Sequence, residues 1–304
     1  MSNRHLLSLE NVSREELRSV LELAREVAAG SFERPLSGKT VFLAFFEPST
    51  RTAASFELAA RRAGADVISI STRGSSLEKG ESLVDTVVTL DRLGADVLVV
   101  RHGAAGAAAL AARHTGAAVI NAGDGRGQHP TQALLDLYAL SAALGGFGGL
   151  AGRKAAIIGD ILHSRVARSV IPAFRAAGME VALVAPPTLL PQEPVWEAAV
   201  LESVDAALEW GAEVLYTLRL QRERMAGALI PSVQEYAARY GVQRRHLLPG
   251  VRVMHPGPVN RGVEIAGDVV LDEASLIPDQ VAAGIHVRAA VLMQALGVGL
   301  EVAA

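Results

Sequence analysis

The feature that most constrains this chain is an alternation repeated along its length, in which short apolar runs are separated by stretches with helical spacing. Thr40–Phe46, Val67–Ile70, Asp96–Val100 and Ala117–Asn121 read as buried strands, and the pattern returns at Lys154–Ile158, Glu180–Val184, Glu213–Thr217 and Val251–Met254. Ser13 and Glu16 form a capping-box pattern ahead of a first helix, with Leu17, Val20, Leu21, Ala24 and Val27 on one face. Further helices are expected from Arg51 to Gly64, near Ser82–Leu93, through an Ala-rich stretch to Arg113, and at Pro130–Leu144, Arg165–Ala177, Ser232–Tyr240 and Asp279–Leu296. Strands separated by helices cannot pair as hairpins, so the expected fold is α/β with parallel sheets flanked by helices. The Gly-dense "GGFGGLAG" after Leu144 marks a joint. The expected division is a first domain over 1–144 and a second over 145–284, with a C-terminal helix at about 285–304 packing back on the first.

At 304 residues the chain is long enough for two cores, and half of it is apolar. A net charge of −3 argues against a nucleic-acid binder held by an overall basic field, so any anion site must be local. The absence of cysteine excludes disulfides, thiolate metal sites and a cysteine nucleophile. No apolar run approaches a membrane span, and "MSNRHLLSLENVSREELRSV" lacks a signal-peptide core, so the expected location is the cytoplasm, with no membrane partner.

Polar clusters follow the expected strands: Ser49–Thr52, Arg101–His102, His129–Gln132, Asp160–Arg165, Arg219–Gln221 and His255–Pro258. In open parallel sheets, ligands sit outside the carboxyl ends of the strands. In "EPSTRTAASFE", Ser49, Thr50, Arg51 and Thr52 fall where a strand gives way to a helix, whose first N–H groups lack partners and whose dipole is positive there. Two readings stand at this point. One is a plain N-cap by Ser49 or Thr50; the other is a phosphate, which would use two hydroxyls and a guanidinium at once. Lys79 is one of three lysines and sits in a Ser/Gly-rich loop, either as a solvated charge or as a mobile contact for an anionic ligand. Pro130 suits a helix start, which leaves His129 and Gln132 unexplained by capping. Two prolines around Gly257 in "MHPGPVNRG" would hold a loop rigid with its carbonyls toward a ligand, and Arg219 and Gln221 share one side of an extended segment.

Other motifs fail on spacing. "SGKT" at Ser37–Thr40 precedes a strand and has Glu33 where a P-loop needs glycine, and "GDGRG" lacks the third glycine of a dinucleotide fingerprint. Neither H-E-x-x-H nor G-x-S-x-G occurs, so no metal and no cofactor is expected.

Taken in order, "FFEPSTRTAASFE", "KGESLVDT", "VVRHG", "NAGDGRGQHPTQALLDLY", "GDILHSRVARS", "LYTLRLQRER" and "MHPGPVNRGVEI" resemble the transcarbamoylases nearly end to end, and their aspartate branch in particular. The ornithine branch has a His-Cys-Leu-Pro segment where this chain reads "HPGP". Two positions depart from the family pattern: Ala53, where a basic residue is frequent, and Ala283, where Asn is common.

The resemblance implies carbamoyl transfer from carbamoyl phosphate to L-aspartate, an early step of pyrimidine synthesis, with the first domain binding carbamoyl phosphate and the second aspartate. It assigns Ser49, Thr50, Arg51 and Thr52 to the phosphate, and Thr52, Arg101 and His129 to the carbonyl oxygen. Gln132 and the backbone of Pro256, Gly257 and Pro258 are assigned to the carbamoyl nitrogen. Arg165, Arg219 and Gln221 would take the aspartate carboxylates. Ser75 would serve carbamoyl phosphate, and Lys79 both catalysis and aspartate, from a loop entering a neighbouring subunit of a homotrimer. A regulatory chain or another enzyme of the pathway is a further partner that the family allows. Two alternatives keep the fold: another acceptor such as ornithine, and a non-catalytic scaffold. A nucleotide-dependent oxidoreductase is disfavoured by the missing glycine fingerprint.

Overall fold

The computed structural model describes residues 5–30, 33–71, 80–193, 195–220, 230 and 232–298; Ser75, Lys79 and Gln221 lie outside them. After helix α1 (Arg14–Ala28), strands β1 (Thr40–Phe45), β2 (Asp66–Ser71), β3 (Val97–His102) and β4 (Ala118–Asp124) form one sheet in the order β2-β1-β3-β4. Strands β5 (Lys154–Ile158), β6 (Glu180–Val184), β7 (Ala199–Leu201), β8 (Val214–Thr217) and β9 (Arg252–Met254) form a second, ordered β7-β6-β5-β8-β9. Every pairing in both sheets is parallel. Helices α2 (Thr50–Arg62), α3 (Leu83–Arg92) and α4 (Ala107–Ala112) accompany the first sheet, and α6 (Arg165–Ala176), α7 (Val204–Glu209) and α8 (Val233–Tyr240) the second. This is the α/β architecture that the alternation predicts.

The topology places the ligand region. In the first sheet the strand order reverses between β1 and β3, in the second between β5 and β8, so each sheet has a crevice at its carboxyl edge where helices leave on opposite sides. Helix α5 (Pro130–Ala143) and a short buried turn at Phe147–Leu150 connect the sheets. The Gly-rich joint is thus packed: the Phe147 ring lies under the guanidiniums of Arg14 and Arg18, at 5.3 and 5.7 Å.

Three details differ from the sequence reading. β7 and α7 were not expected; β7 has only three residues and sits at a sheet edge with Val200 exposed, so it carries no buried run to recognise. The last helix, α9 (Ile277–Ala295), starts two residues ahead of the expected Asp279 and ends one short of the expected Leu296. It is buried on most sides, Gln280, Ala283, Gly284 and Arg288 included, because it packs against α1, α2 and α5 together. Among the described residues, no helix is long and apolar enough to cross a membrane.

Candidate active site

The local structure of "EPSTRT" bears on the first of its two readings, the plain N-cap. Ser49 is the N-cap of α2, but its side chain makes no capping hydrogen bond. The N-cap serines Ser13, Ser82, Ser164, Ser203 and Ser232 all make one, each accepting from a backbone N–H three residues on. The hydroxyls at the start of α2 therefore remain available to a ligand, as the first-turn N–H groups do.

A cleft of about 870 Å³ opens between the two sheets. From the first sheet it receives Ser49, Thr50, Arg51 and Thr52 after β1, Arg101 from β3, and His129 and Gln132 from the start of α5. From the second it receives Arg165 after β5, Arg219 after β8, and Pro256, Gly257 and Pro258 after β9. All the site residues expected from sequence that the structure describes thus meet in one place, as strands of like direction aligned at their carboxyl ends require. Ser75, Lys79 and Gln221 lie outside the described residues. His102 does not join the cleft: its Nδ1 accepts from the Ala104 N–H at 2.9 Å, and its ring packs edge-on to Phe46. Asp160 and His163 bond to each other at 2.8 Å and order the loop ahead of α6.

Among the described residues the cleft is lined by five arginines, at 51, 101, 165, 219 and 288, against one carboxylate, Glu47. A chain of net negative charge thus concentrates positive potential where an anion would enter. Glu47 went unassigned in the sequence, although it heads the "EPSTRT" motif. Its Oε2 lies 3.0 Å from Arg165 Nη1 and 3.3 Å from Arg101 Nη2, so one carboxylate ties a guanidinium from each sheet. Two glycines make room for these cations. A Cβ on Gly123 would lie 3.0 Å from Arg101 Nη1 and 3.1 Å from Arg165 Cζ. One on Gly257, whose φ is +66°, would lie 2.9 Å from Arg51 Cζ, so the bare backbone of the "HPGP" loop rests against the Arg51 guanidinium.

His129 is buried, and its backbone N–H donates to Ser169 Oγ at 2.8 Å. Burial, with the charges of Arg101, Arg165 and Arg288, holds its imidazole well below the usual histidine range. It is therefore neutral at pH 7, and among the described residues its Nδ1 has no hydrogen-bond partner. A neutral imidazole amid cations can donate to a carbonyl oxygen without adding a charge that must be lost later. His255 is also held down by burial; its Nδ1 accepts from the Gly257 N–H at 2.7 Å and its Nε2 faces Glu264 at 3.3 Å, which orders the loop.

Behind the cleft lies a buried carboxylate that the sequence reading did not single out. Asp136 accepts from Gln132 Nε2 at 2.9 Å, Gln280 Nε2 at 2.6 Å and Tyr216 Oη at 2.6 Å. Burial pushes its pKa up to about 6, against the pull of Tyr216, Gln280, Gln132 and Arg288. Its position four residues after Gln132 on a helix was the one available signal, since side chains at that spacing meet. Among the described residues, no group of three or more His, Asp or Glu could hold a metal ion.

This geometry has close counterparts. The family model described as "Aspartate/ornithine carbamoyltransferase, carbamoyl-P binding domain" matches residues 4–142, and the one described as "Aspartate/ornithine carbamoyltransferase, Asp/Orn binding domain" matches residues 151–295. The chain is 73% identical over 305 residues to the aspartate carbamoyltransferase catalytic subunit of Rubrobacter xylanophilus, with 100% of both chains covered. It is 50% identical to that of Gluconobacter oxydans, over 95% of this chain and 94% of the other. Among solved structures, aspartate transcarbamoylase from Trypanosoma cruzi in complex with carbamoyl phosphate and aspartate aligns with a TM-score of 0.86 at 32% identity, covering 96% of this chain and 97% of that one. The catalytic subunit of M. Jannaschii aspartate transcarbamoylase aligns with a TM-score of 0.83 at 35% identity, over 96% and 97% of the two chains. With both family models matched in order along one chain, and relatives this similar over their whole length, the chain belongs to the aspartate/ornithine carbamoyltransferase family.

Proposed function

We propose that this chain is the catalytic chain of an aspartate carbamoyltransferase, a cytoplasmic enzyme of pyrimidine synthesis that works without metal or cofactor. The observation that carries the reading is the cleft itself: uncapped hydroxyls at a helix start, five arginines and a neutral buried histidine, drawn from both sheets. Relatives that match over nearly the whole chain are named for this activity.

The amine of aspartate attacks the carbonyl carbon of carbamoyl phosphate, the new C–N bond forms, and the bond from that carbon to the phosphate oxygen breaks. The leaving phosphate carries away the amine proton. Ser49, Thr50, Arg51 and Thr52 hold the phosphate at the positive end of α2. Thr52, Arg101 and His129 donate to the carbonyl oxygen as it gains charge. Gln132 and the carbonyls around Pro256, Gly257 and Pro258 receive the carbamoyl nitrogen. Arg165, Arg219 and Gln221 take the two carboxylates of aspartate; at Arg165 the substrate must share the guanidinium with Glu47, 3.0 Å away. In this reading residues 1–144, with the returning helix from about 285, form the carbamoyl phosphate domain and 145–284 the aspartate domain. Purified protein given carbamoyl phosphate and a panel of amino acids should carbamoylate L-aspartate; turnover of ornithine at an equal rate would transfer the chain to another branch, and no turnover at all would favour a scaffold.

The working unit we propose is a homotrimer whose sites are shared, with Ser75 and Lys79 reaching a neighbour's cleft; a regulatory chain or pathway enzyme is an additional partner consistent with the family. The sequence has three lysines. Lys39 pairs with Asp96 at 3.1 Å and Lys154 donates to the Trp210 carbonyl at 3.2 Å, both away from the cleft. The assignment of Lys79 to the active site rests on the family resemblance. A ring closed by heterologous contacts is the symmetry that sharing requires. Lys79→Ala and Arg51→Ala proteins, each nearly inactive, should regain activity when their subunits are exchanged, because a mixed ring can hold one site with both residues intact. Confirmed exchange without any recovery would remove the shared site.

A further inference from the structure

Asp136 does not line the cleft, yet it governs two residues that do. It is fully buried, and at neutral pH it is ionised, so both its oxygens can only accept. Its three donors come from three elements: Gln132 on α5, Tyr216 on β8 and Gln280 on α9. Both glutamine amides point their nitrogen at the same oxygen, Oδ1, while the phenol takes Oδ2. Burial and the neighbouring carboxylate keep that phenol protonated, a donor at any working pH.

A primary amide whose nitrogen is held against a carboxylate turns its oxygen the other way. For Gln280 that oxygen accepts the His255 N–H at 3.0 Å, which anchors the start of the "HPGP" loop. Gln132 lines the cleft, and its oxygen is the end of the amide turned away from Asp136. Were Asp136 absent, either amide could turn and present NH2 instead, at little cost in shape.

We propose that Asp136 is a positioning residue that sets the direction of the Gln132 and Gln280 amides, so that the cleft shows hydrogen-bond acceptors at the acyl position and prefers an amino group there to a methyl group. The ligand chemistry selected is a carbamoyl phosphate over an acetyl phosphate, which has the same shape but no donor. This inference rests on the reading under Proposed function. Acceptors left facing a methyl group go unpaired, and sites built around a hydrogen bond reject such analogues strongly.

The test is the ratio of dissociation constants for acetyl phosphate and carbamoyl phosphate, measured by calorimetry on the full-length protein, with inorganic phosphate as control. In Asp136→Ala the ratio should fall by about tenfold or more, while phosphate binds as before. Asp136→Asn should keep most of the discrimination, because a single amide oxygen turned toward the two glutamines replaces Oδ1. A purely structural role would weaken all three ligands together and leave the ratio alone, which would overturn the proposal; so would an Asn variant as indiscriminate as the Ala one.

If Asp136→Ala does not fold, the unsubstituted protein decides. The Gln132 side-chain NH2, assigned by its loss in Gln132→Leu, should exchange slowly with deuterium in the ligand-free protein. Exchange as fast as that of an exposed amide would show its nitrogen facing the cleft and sink the idea. Failure of the underlying reading looks different: the unsubstituted protein would then neither turn over carbamoyl phosphate nor distinguish it from acetyl phosphate.

Discussion

Replacing Arg51 by alanine is expected to lower turnover by at least about two to three orders of magnitude, the usual effect of losing an oriented donor to developing charge. The side chain sits at the second residue of α2, beside first-turn N–H groups and uncapped hydroxyls, and its guanidinium rests on the backbone of Gly257. A charge-assisted contact of this kind is worth about 1.5–3 kcal/mol in the ground state alone, so affinity for carbamoyl phosphate should fall together with the rate. Stability should barely change: Arg51 is exposed, caps nothing, and lies close enough to Arg219 for their charges to oppose each other. The measurement is steady-state kinetics with both substrates, beside a thermal melt. Near-normal turnover in a folded variant would reduce "EPSTRT" to an ordinary helix start.

Arg219→Ala should separate the two substrates. Arg219 enters the cleft from the end of β8, on the second sheet, and is assigned to an aspartate carboxylate. Removing the fork should raise the aspartate KM by about one to two orders of magnitude, the equivalent of one charge-assisted contact. The carbamoyl phosphate dissociation constant should move by about threefold or less, since only a screened, longer-range charge is lost. Calorimetry with carbamoyl phosphate and kinetics with varied aspartate read the two effects independently. A collapse of carbamoyl phosphate affinity with unchanged aspartate saturation would reverse the assignment of the sheets to the substrates.

The sequence by itself determined the parts of this protein that depend on neighbours along the chain. Short apolar runs with helices between them dictate parallel strands, and β5 and β6 stand where the runs predict them, residue for residue. The clusters at Ser49–Thr52, His129–Gln132 and Pro256–Pro258 were legible because each follows a strand within about five residues, and parallel strands bring their carboxyl ends to one edge. Short edge elements such as β7 were not legible, because an exposed three-residue strand carries no buried pattern.

Only the tertiary structure decided which hydroxyls are spent on capping and which polar residues face each other. Ser49 and Ser13 both stand at expected helix starts in sequence; in the fold Ser13 caps its helix and Ser49 does not. Glu47 bridges Arg101 and Arg165, the latter 118 residues further along the chain. Asp136 gathers donors 80 and 144 residues away as well as the one four residues back. The physical reason is that a carboxylate's role is set by the donors around it and by the water it has lost, and both are properties of the folded interior.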